Sequence, residues 1–111
     1  MAEIIYLRNG DYINNYNEIP EYLANQCGAE IVGAEPIVNG VVICLEKFYF
    51  RNKSYAALTV IIQNESTGSR ATLIGSGGGE GLFNISWGAN SDFAVSAANA
   101  LNARYRMYQG E

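Results

Sequence analysis

Apolar residues along this chain recur with two different periods, and each change of period marks an element boundary. In residues 12–27, Ile13, Tyr16, Ile19, Tyr22, Leu23 and Cys27 fall at three- and four-residue steps with Asn and Glu between them. That spacing predicts an amphipathic helix. Pro20 predicts a kink or a first turn restarting there, and Gly28 a left-handed stop after the last turn. Ahead of the helix, residues 3–8 (EIIYLR) read as a short strand, closed by the turn and capping chemistry of Asn9-Gly10-Asp11.

From Ala29 the period becomes that of strands. Residues 29–34 predict a short strand, and Asn39-Gly40 a turn that introduces a long β-branched and aromatic run over 41–51. Asn52-Lys53 predicts a tight hairpin onto residues 54–64, where Ala56, Leu58, Val60 and Ile62 alternate with Tyr55, Ala57, Thr59, Ile61 and Gln63. The first set is expected in the core. Strands are also predicted at 70–75 and 82–87. A final helix over about 91–106 carries the stripe Phe93, Ala97, Leu101 and Tyr105, flanked by Ala94 and Ala98, with Asp92 near the positive end of its dipole.

The expected fold is therefore α+β: one domain over 1–111, a two-layer sandwich of an antiparallel four- to six-stranded sheet with two helices on one face, in the order β-α-β4-α. That order is similar to the TATA-binding-protein half-repeat and, more loosely, to helix-grip ligand-binding folds. Such likeness of topology does not by itself assign a function.

Composition then removes classes of function. A net charge of -4 and seven dispersed Lys and Arg argue against a nucleic-acid backbone as partner, which is held by clustered cations. With 49% of residues hydrophobic and 16% charged, the chain is globular in type with a weakly charged surface prone to self-association. No apolar run approaches the roughly 18 residues of a membrane span, and the first residues do not form a secretion signal, so a cytoplasmic location is expected. Cys27 and Cys44 lack metal or redox spacing and are expected to be free thiols. The absence of histidine removes the commonest general base, and the acids form no ligand pattern, so neither metal nor cofactor is expected.

Two segments carry candidate chemistry. The glycine run Gly75-Ser76-Gly77-Gly78-Gly79-Glu80-Gly81 lacks the GK[ST] of a phosphate-binding loop and the third glycine of a dinucleotide fingerprint. It reads as a flexible hairpin or bulged edge, with a backbone anion nest at Gly77, Gly78 and Gly79 as the alternative. In Glu46-Lys47-Phe48-Tyr49-Phe50-Arg51, alternation puts Lys47, Tyr49 and Arg51 on one face, and Tyr55 across the hairpin is the fourth member of a candidate ligand-binding surface. Tyr55, Thr59, Ile61 and Val41 are further expected on the outer face of the sheet, as an apolar patch that predicts a symmetric homodimer.

The segments EKFYFR, AALTV, GSGGGEG, FNISWGA and DF, in that order within residues 40–101, resemble a family of small Firmicute proteins of unknown function. The resemblance implies an intact stand-alone bacterial domain and brings no activity with it. Two readings follow. One is a non-enzymatic module binding a small molecule or a protein. The other is a helix-grip-like pocket between the sheet and the last helix, with chemistry on the bound ligand; the small residues Ala94, Ala97 and Ala98 work against it by letting that helix pack closely.

Overall fold

The breaks in apolar period coincide with backbone positions that few residues tolerate. Gly28, at φ 64°, ends the first helix and returns its N–H to Ala24, while Asn39 and Lys53 take positive φ at the two turns flanking the strand over Gly40–Tyr49. Asn9 closes a local turn by accepting the Asp11 N–H at 2.7 Å. The computed structural model describes residues 3–50, 53–77 and 89–110. Its elements are β1 (Glu3–Asn9), a short 3-10 turn (Tyr16–Glu18), α1 (Ile19–Cys27), β2 (Glu30–Ile37), β3 (Gly40–Tyr49), β4 (Ser54–Glu65), β5 (Gly68–Gly77), α2 (Ala89–Tyr105) and β6 (Tyr108–Gln109).

The α+β class, the antiparallel sheet and the two helices are as expected; the boundaries differ. The helix predicted over 12–27 begins only at Ile19, because Pro20 is accommodated in a first turn, where its missing N–H is no loss. β2 runs on through Pro36, which an edge strand permits. α2 starts two residues before the predicted 91, which puts Asp92 in its first turn. The predicted strand at 82–87 lies outside the described residues.

The six strands lie in the order β2-β3-β4-β5-β1-β6, every neighbouring pair antiparallel. One face forms the core. Ile5, Leu73, Val60 and Ile43 are successive neighbours across it, with Leu7, Ala71, Ile62 and Val41 in the adjoining row. Against these pack Ile19, Leu23 and Cys27 of α1 and Phe93, Ala94, Ala97 and Leu101 of α2, in a single buried cluster. Ala56, Leu58, Val60 and Ile62 all belong to it. The α2 alanines let the helix lie close to the sheet.

Val41 is corrected by the register. It is 4% exposed and faces the helices; its neighbour Val42 pairs with Ile61 and takes the outer position. The edge strand β2 is exposed almost throughout, and its pairing with β3 slips between Ile31 and Gly33.

Candidate functional site

Cross-strand partners project from the same side of a sheet, and this separates the residues singled out in the sequence. Lys47 and Tyr49 lie on the helix side: the Lys47 ammonium is 5.1 Å from the Tyr49 ring centroid, and the Tyr49 ring lies 6.4 Å from Phe93. Burial pushes the Cys27 thiol up, and Lys47 only partly opposes it. Tyr55 pairs with Phe48 and so stands on the other side, where its ring and that of Phe50 each lie 5.1 Å from Phe48. Tyr55 therefore does not join Lys47 and Tyr49. Arg51, Gly78 and Gly79 lie outside the described residues; Gly77 ends β5 opposite Ala56.

The packing of α1 on α2 assembles a group that the sequence reading missed. Arg104 Nη2 is 3.2 Å from Glu18 Oε1. Its guanidinium lies 4.9 Å from the Tyr22 ring centroid and 5.6 Å from that of Tyr105, and the two rings meet edge to face at 5.8 Å. The Tyr22 hydroxyl donates to the Ala100 carbonyl at 2.7 Å. The Tyr105 hydroxyl is buried with no hydrogen-bond partner among the described residues. Burial raises its pKa above the ordinary phenol range, with Arg104 opposing and Glu18 and Tyr22 adding to the rise. Beside the group opens a polar cleft of about 450 Å³ lined in part by Asn9, Asp11, Tyr12 and Asn15. Nothing in it is a nucleophile paired with a base. Among the described residues no three His, Cys, Asp or Glu side chains could hold a metal ion.

The two hydroxyls give a contrasting pair of predictions. Tyr22→Phe is expected to lose about 1 kcal/mol with its hydrogen bond, whereas Tyr105→Phe, shedding an unpartnered buried group, is expected to be neutral or to gain up to ~1 kcal/mol. Urea midpoints of the two variants check this. The raised phenol also has a pH signature. Its contribution to stability is intact below the unfolded value of about 10 and is lost as pH rises through the higher folded value. Tyr105→Phe is expected to flatten that part of the alkaline fall.

The outer face of the sheet is covered by no described helix. Tyr6, Thr72, Ile61 and Val42 cross it as one row of neighbours and Ile4, Ile74, Thr59 and Cys44 as the next. Ile4 and Tyr6 are 49% and 51% exposed, and the other six are half-buried. Shallow hollows of about 390 and 360 Å³ flank Tyr6, the second rimmed by Arg8 and Arg70. Arg70 is held by Glu65 at 3.2 Å and donates to Gln63 Oε1 at 3.4 Å.

The model of a family of unknown function, DUF6054, matches residues 12–105. The chain belongs to this family. The DUF6054 match takes in both helices and β2 to β5, and so most of the open face; Ile4, Tyr6 and Arg8 of β1 precede it. No curated protein and no solved structure matches the chain.

Proposed function

We propose that this chain is a non-enzymatic binding module of the bacterial cytosol that works through the open face of its sheet, in the first instance by pairing with a second copy of itself. The strand pattern carries the reading. β1, β3 and β4 hold the runs Ile4-Ile5-Tyr6-Leu7, Val41-Val42-Ile43-Cys44-Leu45 and Ala56-Ala57-Leu58-Thr59-Val60-Ile61-Ile62, apolar on both faces. Such runs belong to strands covered on both sides. The helices cover one side, and a contiguous apolar field of this kind marks an interaction surface.

The helix-grip alternative has less support. The space beside α2 against β1 and β6 is about 200 Å³, below the roughly 300 Å³ at which ligand cavities begin. The likeness of element order to the TATA-binding protein supports no nucleic-acid reading either. Arg8 and Arg70 are the only cations that the described register places on the open face.

Light scattering across the micromolar range tests the reading: a dimeric mass is expected, and a monomer at high micromolar concentration would overturn it. Cys44 supplies a local probe, since it is half-buried in the open face and Cys27 is buried beneath the helices. Alkylation is expected to modify Cys44 well before Cys27 in dilute protein and to slow at Cys44 as the protein is concentrated. A Cys44 rate independent of concentration would argue against docking on this face.

A further inference from the structure

Two like-charge pairs stand on the open face, and they have opposite sign. Like charges directly opposite each other across antiparallel strands destabilise the pairing. Arg8 of β1 is opposite Arg70 of β5, and Glu30 of β2 is opposite Glu46 of β3. Glu65 relieves Arg70, whereas Arg8, Glu30 and Glu46 have no ion pair among the described residues. The pairs occupy diagonal corners. The arginines share the register row of Gln63, the Glu46 pair that of Ala57, and the apolar field of Tyr6, Ile61 and Ile74 lies between.

Resting on the self-association argued above, we propose that the second copy docks face to face about a two-fold axis in the plane between the sheets, set across this diagonal. The Arg8–Arg70 corner of each protomer then sits over the Glu30–Glu46 corner of the other. A two-fold contact uses the same patch on both protomers, so the match is made twice. It relieves both like-charge pairs and fixes the register of an otherwise featureless apolar contact. The corners are separated by three strand intervals and three two-residue steps, about 14 Å by about 20 Å at ordinary strand spacings. Exchanging them sets the strands of the two sheets at about 70°, near the orthogonal class of sheet packing.

A charge-swap experiment on the full chain tests this. Arg8→Glu makes one corner acidic, and Glu30→Lys with Glu46→Lys makes the other basic; all three side chains are exposed, and circular dichroism checks that each variant is folded. In low salt, sedimentation is expected to show each variant dimerising at least tenfold more weakly than the wild type. An equimolar mixture is expected to recover, because every corner of the mixed dimer then faces its opposite charge. High salt is expected to shrink both effects. Variants that dimerise as well as the wild type, or a mixture that fails to recover, would overturn the corner pairing while leaving open-face association standing. A wild-type chain that stays monomeric would overturn both.

Discussion

Replacing Gly68 by alanine is expected to cost the fold at least ~3 kcal/mol, from two effects that act together. Gly68 opens β5 at φ 135°, a backbone conformation that residues with a side chain rarely adopt, and an added Cβ would lie 2.1 Å from the Asn9 carbonyl oxygen and 2.8 Å from the Gly10 carbonyl carbon. Both are backbone atoms, so no side chain can swing aside. Relief requires moving the end of β1 away from β5. That shift would strain the contacts which hold the following loop: the Ser69 hydroxyl donating to the Asp11 carbonyl at 2.9 Å, and the Asn64 amide spanning the N–H and carbonyl of Ile13, both at 2.9 Å. Thermal unfolding at fixed protein concentration is expected to show a Tm lower by about 10 °C or more. A loss below 1 kcal/mol would mean that β1 and β5 do not approach as described.

Phe93→Ala is expected to cost about 3–5 kcal/mol, a large share of the roughly 5–15 kcal/mol that holds a domain of this kind together. Phe93 is fully buried where α2 meets the sheet. Its neighbours on the same helix face, Ala94 and Ala97, are too short to fill the space left behind, and the Tyr49 ring would lose its contact. Phe93→Leu keeps most of the volume and is expected to cost less than half as much. Phe50→Ala serves as the control: that ring is 84% exposed, and a change within 0.5 kcal/mol is expected in urea unfolding. Equal losses at 93 and 50 would contradict the two-layer packing.

The hairpin of β3 and β4 was legible in the sequence because both strands are long, β-branched and bounded by turn residues. The inward set Ala56, Leu58, Val60 and Ile62 follows from alternation alone. Tyr55 takes the outer position that alternation gives it, but the facing of Val41 and the placing of Lys47 and Tyr49 on the side away from Tyr55 did not follow, for one reason. Where neighbours such as Val41 and Val42 are both apolar, only the inter-strand register decides which points inward, and register depends on a turn that short-range pattern does not specify. The position of β1 between β5 and β6 was equally hidden, since Leu7 meets Ala71 only through a long-range pairing. Two-residue β6 is too short to show any period.

The apolar outer face was half visible in the sequence. Thr59 and Ile61 stood out by alternation, but Ile4, Tyr6 and Ile74 joined them only once β1 was placed beside β5. Arg104, Glu18 and Tyr22 carry no sequence motif. They come together because α1 crosses α2, and side-chain directions at a helix crossing depend on packing angles rather than on composition.

An open sheet can recruit further copies of itself by stacking or by lengthening, and the edge strand β2 bears on which occurs. Lengthening needs a straight row of unsatisfied amides on which a new strand can pair. The slip between Ile31 and Gly33 bends that row, Pro36 withdraws one donor from it, and Glu30 and Glu35 would set carboxylates against those of any identical strand laid alongside. If copies pair through the open face as proposed, this edge is expected to disfavour filaments that grow without limit and to leave a closed pair.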